Sequence, residues 1–336
     1  MKNKLLVLGV TTILFGCGGG GGGDGEPAAV PEVANETEIN QIDKVSIESF
    51  LPGNVTEENA GTIGVNVSRA LVKMSQEFYD LFPKSTVIYG EDLNLVAAFE
   101  EEEACSESGA WTLVVNADNL TNSDVGRLFG QGETYSNDYS WCKDQSILSG
   151  RYYLNGKESF TGEAGAFDAL GSAYLEYNKG TYTYQNVSLS DRDGSDLVRF
   201  RNGSVTVESN ESVLRVTSNK FSLIEDDVTN RVWFTVSNLD MTSQKDLNGV
   251  FEGVTLDAAP FDIEIEDVDA KYTVYVDDPL NMLAVNGWAP NEGTIVIEGN
   301  NGRLKVEFMS GVFVGYIDLE KDGDYETSFS INSDLY

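Results

Sequence analysis

Apolar and polar residues change their spacing three times along this chain. Leu5 to Phe15 is an apolar run next to Met1-Lys2-Asn3-Lys4. It is too short to span a bilayer, which takes about 20 apolar residues. From residue 18 to about 40 no apolar period is present. Gly18 to Gly23 is continuous glycine, and Asp24 to Glu38 adds Pro27, Pro31, alanines and acids. That composition predicts a flexible tether. Val67, Leu71, Met74, Phe78, Leu81 and Phe82 then fall on one stripe of an α-helix, started by Asn66 or Ser68 and stopped by Pro83. A second short helix is expected over Leu93 to Glu103, with Glu100 to Glu103 as its solvated end.

From about residue 110 the period becomes two. Asp262 to Glu266, Tyr272 to Val276 and Arg303 to Phe308 alternate apolar and polar positions, the pattern of strands with one buried face. Further strands are expected at 111–117, 151–154, 174–185, 197–208, 212–217, 232–239, 293–298 and 312–319. Asn-Gly at 155–156, 202–203, 248–249, 286–287 and 301–302, with Asp-Gly at 193–194 and 322–323, suits tight hairpin turns. The pattern predicts a mainly β fold: a large antiparallel meander, sandwich or open barrel with one or two N-terminal helices packed on it. Residues 41–110 read as the helical N-terminal part of the body and 111–336 as its antiparallel β part. Shared Leu-Asn-Gly, Phe-Asp and Asn-Gly segments over about 154–208 and 247–307 leave two readings open, a weak duplication and a coincidence of hairpin-like letters.

Charge narrows the partners. Lys+Arg number 22 against 55 Asp+Glu, a net charge of −33. Without Lys2 and Lys4 the balance is 20 against 55, or −35. Such a surface repels nucleic acid and anionic headgroups. Histidine is absent. Triads, Cys-His pairs and histidine-ligated metal sites are thereby excluded, and with them the usual base near neutral pH. A glycosidase with two carboxylates is the main enzymatic mechanism left. No phosphate-binding glycine loop and no Gly-x-Ser-x-Gly elbow are present.

Leu14-Phe15-Gly16-Cys17, at the end of the apolar run, resembles the lipobox of bacterial lipoproteins. The resemblance implies cleavage of a signal peptide, residues 1–16, before Cys17 and a diacylglycerol on its thiol. The lipidated Cys17 and tether then cover 17–40. Phe15 departs from the smaller residue usual there. Gly18, where an aspartate would favour inner-membrane retention, implies the outer membrane. With its glycine tether the chain is similar to glycine-tethered lipoproteins of Gram-negative bacteria, specifically over residues 1–23 and only generally beyond. Cys105 and Cys142 then form an even pair, most simply one disulfide in an oxidising compartment, with two buried thiols as the alternative.

One local motif has metal-ligand spacing. Asp318, Glu320, Asp322, Asp324 and Glu326, with Gly323, partly resemble an EF-hand calcium loop. Phe329 stands where the closing glutamate belongs, and Lys321 brings a positive charge. The residues leave two readings open, a plain hairpin and a weak calcium site. Trp288, in an expected loop, is the best single exposed aromatic for a sugar platform, and Trp141 is expected to pack on the disulfide. The resulting expectation is a lipid-anchored outer-membrane lipoprotein with a non-catalytic binding or structural role in the cell envelope. No catalytic residue and no required cofactor are expected. The membrane is a partner through the anchor, nucleic acid is not, and a protein, glycan or apolar ligand is left open. A lipid or apolar-ligand carrier and a carboxylate-based glycan-active enzyme are the alternatives.

Overall fold

The computed structural model describes residues 6–7, 50–80, 88–89, 98–116, 131–143, 152–165, 178–190, 197–209, 213–227, 230–245, 253–283, 290–309 and 312–331. Leu6–Val7 (β1) and Ile88–Tyr89 (β2) form a small antiparallel pair. All other described strands belong to one sheet of 15. In chain order they are Ala98–Ala104 (β3), Ser108–Asn116 (β4), Thr134–Lys143 (β5), Tyr153–Gly165 (β6), Asn178–Ser190 (β7), Leu197–Ser209 (β8), Val213–Asp227 (β9) and Asn230–Lys245 (β10). They continue as Gly253–Ala258 (β11), Phe261–Ile265 (β12), Ala270–Leu283 (β13), Pro290–Glu298 (β14), Arg303–Met309 (β15), Val312–Asp318 (β16) and Thr327–Ile331 (β17). Apart from β11 and β12, successive strands of this sheet pair antiparallel, so it is a meander from β3 at one edge to β17 at the other. β11 and β12 share one place in it, both lying between β10 and β13, broken at Ala259-Pro260. Proline lacks the N–H a central strand needs, so the ladder stops there and restarts.

The helix Ala60–Asp80 (α1) begins earlier than its apolar stripe suggested. Thr56 Oγ1 accepts the Asn59 N–H at 3.2 Å, and Asn59 Oδ1 accepts the Thr56 N–H at 2.8 Å. This reciprocal box satisfies two helix-start donors, so neither Asn66 nor Ser68 is the cap. Both lie buried in mid-helix. Leu81, Phe82 and Pro83 lie outside the described residues.

With 21 residues α1 is about 31 Å long. Its start meets β17, where Glu57 bonds Thr327 and Gly61 faces the Phe329 ring. Its end meets β8 and β9: Glu77 pairs with Arg201, Lys73 with Glu225, and the Phe78 and Phe221 rings sit 5.8 Å apart. The helix therefore runs across the strands and also packs on β10, β12, β15 and β16. One face of the sheet packs against it, burying Ile63, Val67, Leu71 and Met74 with Phe234, Ile263, Val274, Ile297 and Leu304 in one core.

The expected second helix is not formed over its described residues, and Leu93 to Ala97 lie outside them. Ala98–Ala104 is the edge strand β3, so Glu100 to Glu103 lie in a strand. Four consecutive charges have no period of their own to favour a helix. On an edge they also discourage pairing with another chain.

Two of the expected turns are not turns either. Asn155-Gly156 and Asn202-Gly203 lie inside β6 and β8, at breaks in register. Gly156 has φ 97° and Gly203 φ 111°, and a Cβ on either would collide with a carbonyl of the next strand. Only glycine fits such a bulge. The asparagine beside each braces the preceding strand. Asn155 Oδ1 accepts the Trp141 N–H at 3.4 Å, and Asn202 Oδ1 accepts the Asn186 N–H at 3.3 Å. Trp141, Asn186 and Asn238 all have positive φ. Together with the Ala259-Pro260 break and Gly293 beside the Pro279 carbonyl, these irregularities form a seam from β4 to β14. Bulges bend and twist a strand, and here they are aligned across neighbours.

The extra residue also re-phases the alternation. In β9 the buried set is Leu214 and Val216, then Phe221 and Leu223; in β10 it is Phe234 and Val236, then Leu239 and Met241. The odd step in each strand keeps apolar side chains on the inner face through the bend. Asn301-Gly302 does turn a hairpin, between β14 and β15, closed by the Gly299 N–H on the Gly302 carbonyl at 2.9 Å. The pairs at 202–203 and 301–302, matched in the suspected duplication, thus serve different geometries. The pairs at 193–194, 248–249 and 286–287 lie outside the described residues.

Candidate functional site

Cys17 and its tether lie outside the described residues, as does Trp288. No described helix is long and apolar enough to cross a membrane. Cys105 and Cys142 are joined as a disulfide with Cα atoms 5.5 Å apart. The bond ties the β3–β4 hairpin to β5 at the edge of the sheet, beside the Lys143–Glu107 ion pair at 3.3 Å. Trp141 makes an edge-on contact with Tyr153, ring centroids 6.3 Å apart.

Of the five acids with metal-ligand spacing, the fold brings three together. One oxygen from each of Asp318, Asp322 and Glu326 lies within 4.8 Å of the others. Glu320 and Asp324 are exposed and outside this group. Asp318 is fully buried at the end of β16, and its two oxygens accept the Asp322 and Gly323 N–H groups at 3.3 and 3.0 Å. Asp322 Oδ1 accepts the Asp324 N–H at 2.9 Å, and Glu326 Oε2 accepts the Leu319 N–H at 3.3 Å. Lys321 turns away, its Nζ bonding Glu298 Oε1 at 3.2 Å and the Gly299 carbonyl at 2.6 Å. Calcium takes six to eight oxygens. These carboxylates already organise the backbone of a hairpin, which is the simpler of the two roles expected for the segment.

A second polar group, not singled out by the sequence, lies where α1 ends. Arg201 in β8 reaches Glu77 with its Nη2 2.7 Å from Oε1 and 3.0 Å from Oε2. Both residues are about 95 % buried, their side chains showing 6 % and 5 % exposure. The guanidinium carbon lies 5.6 Å from the Tyr184 ring centre. Glu158 in β6 is the third member, buried, with its Oε1 accepting the Tyr135 hydroxyl at 3.3 Å. Register places Leu113, Asn137, Glu158 and Tyr184 side by side on β4 to β7, and Val115, Tyr135, Phe160 and Tyr182 in the next row. Arg201 Nε and Ser75 Oγ are buried and lack a partner among the described residues.

Burial pushes the Glu158 carboxyl above the usual range, against the opposing pull of Arg201 and the Tyr135 hydrogen bond, while Glu77 adds to the push. Burial likewise raises the Tyr135 and Tyr184 phenols well above their ordinary value, so both stay neutral. The folded chain therefore holds the Glu158 proton more tightly than the unfolded chain. Its contribution to stability is full below the unfolded value, about 4.3, and is lost as pH rises through the raised value. Glu158→Gln should flatten that decline, so guanidinium midpoints of variant and parent should draw together or cross as pH rises. Parallel midpoint-against-pH curves would show that Glu158 does not carry the effect.

No family model matches the chain, and no curated protein or solved structure matches it. Among the described residues the fold is an antiparallel β meander with one long helix packed on a face and a disulfide at one edge.

Proposed function

We propose that this is a lipid-anchored lipoprotein of the Gram-negative outer membrane whose β body has a non-catalytic binding or structural role in the cell envelope. The observation that carries this reading is Leu14-Phe15-Gly16-Cys17 between an apolar run and a glycine tether. The Cys105–Cys142 disulfide supports it, since such bonds persist in oxidising compartments. One acyl chain holds a protein marginally and two or more hold it firmly. Diacylglycerol on Cys17, with a further palmitate-type chain on the new N-terminus, meets that condition. Cleavage before Cys17 would remove β1 and leave the large sheet intact.

Cys17→Ala is expected to abolish incorporation of an alkyne-tagged palmitate and to move the protein from the membrane to the soluble fraction. Retention of the label in that variant would refute the anchor. Protease shaving of intact and permeabilised cells assigns the membrane face.

Of the other classes, an apolar-ligand carrier draws support from the inner rows of β4 to β7, where Leu113, Val115, Tyr135 and Phe160 continue the buried face past the end of α1. Mass spectrometry for a non-covalent lipid in the same membrane preparation separates that reading.

A further inference from the structure

The two ends of this open sheet are finished differently. An edge strand presents unpaired N–H and C=O groups, and proteins block unwanted pairing there with charge, proline or bulges. β3 carries Glu100 to Glu103. β17 is Thr327-Ser328-Phe329-Ser330-Ile331, without a charge, a proline or a glycine. Among the described residues nothing pairs with its outer edge. Ser328 and Ser330 are exposed.

The strand is also held in place. Gly315 on β16 lacks a side chain where the Phe329 ring lies, and a Cβ there would collide with the ring. Phe329 packs on the core, and Thr327 Oγ1 donates to Glu57 Oε1 at 3.2 Å. A preformed edge has little ordering cost to meet when a strand is added.

Charge around this edge selects the occupant. Glu57 and Glu58 at the start of α1, and Glu320, Asp322, Asp324 and Glu326 before β17, are all exposed. Lys321, the cation of that connection, is engaged by Glu298 and the Gly299 carbonyl. We propose that β17 is a docking edge that takes up an extended, lysine- or arginine-bearing segment of a partner protein as an added strand. Backbone hydrogen bonds would supply affinity, and the carboxylates would supply selectivity and speed of encounter. A second copy fits less well, because each would bring the same acids and a net charge of −33 to the shared edge.

The test uses the full-length protein in detergent and three peptides: alternating lysine and valine, the same with glutamate for lysine, and the lysine peptide N-methylated on alternate backbone nitrogens. Binding is read by fluorescence anisotropy and its place by hydrogen exchange. The lysine peptide should bind and protect the amides of residues 327–331. N-methylation should weaken it by about tenfold or more. Ser328→Lys/Ser330→Lys, two exposed positions, should weaken it too while leaving the fold and its circular dichroism unchanged. The proposal is overturned by equal binding of the glutamate or N-methylated peptide, by protection elsewhere, or by no binding. It is also overturned if residues 327–331 are already protected in a concentration-dependent dimer, since the occupant would then be a second copy.

Discussion

Arg201→Met should lower the free energy of unfolding by about 3–5 kcal/mol, the cost of leaving a buried carboxylate without its cation. The carboxylate is Glu77, which lies under the last turns of α1 with Arg201 Nη2 2.7 Å from its Oε1. Domains are stable by only about 5–15 kcal/mol, so the loss is a large share of the total. The same pair need not be strongly stabilising as it stands. Desolvating two ions offsets much of their attraction, and replacing both with apolar residues is often neutral or favourable. Glu77→Leu/Arg201→Met should therefore recover most of what Arg201→Met loses. Guanidinium unfolding of the parent, the single variant and the double variant checks this. If the double variant is no more stable than Arg201→Met alone, the stranded charge is not the cause. Arg201 then contributes chiefly by packing, for instance on the Tyr184 ring.

The second large effect is expected at the β3 edge. Removing the Cys105–Cys142 bond, by Cys105→Ala/Cys142→Ala, should cost about 4 kcal/mol in the chain-entropy account for a loop of 37 residues. Its distribution should differ from that of Arg201→Met. The bond joins the β3–β4 hairpin to β5, strands that α1 does not hold in the way it holds β8 to β10 and β15 to β17. Hydrogen exchange should consequently rise in β3, β4 and β5 well before it rises in β9, β10 or α1. Uniform loss of protection along the sheet would mean that the meander unfolds as one unit.

The functional candidates were unevenly legible. The apolar run, Cys17 and the tether declare themselves locally, because targeting signals are read in linear sequence. The cysteine pair followed from an even count once Cys17 was set aside, and the structure joins Cys105 to Cys142. The acids at 318–326 were visible by spacing, but only the fold shows that three converge and that Lys321 leaves the loop. The Arg201 group was invisible. Its members come from α1, β5, β6, β7 and β8, and a single arginine between an apolar and a polar residue in a strand carries no mark of burial. The one available signal was the position of Glu77 between Met74 and Phe78 on the helix stripe, a charge on the edge of an apolar face.

What the sequence determined by itself is what short-range physics sets. Period two gave strands, the 3–4 spacing from Val67 to Phe78 gave a helix, and the short apolar run ending at Cys17 gave the lipoprotein resemblance. What only the tertiary structure decided depends on neighbours far along the chain. Asn155-Gly156 and Asn202-Gly203 have the local chemistry of a hairpin turn. They are instead mid-strand bulges, because positive φ serves either purpose and the strand alongside selects one. Glu100 to Glu103 has no period, so its place at an edge, paired only with β4 among the described strands, makes it a strand. The helix start was set by Thr56 and Asn59, outside the stripe. The irregular steps that recur between β4 and β14 fall side by side across neighbouring strands. Each step looks like a fault in the alternation until the next strand is beside it.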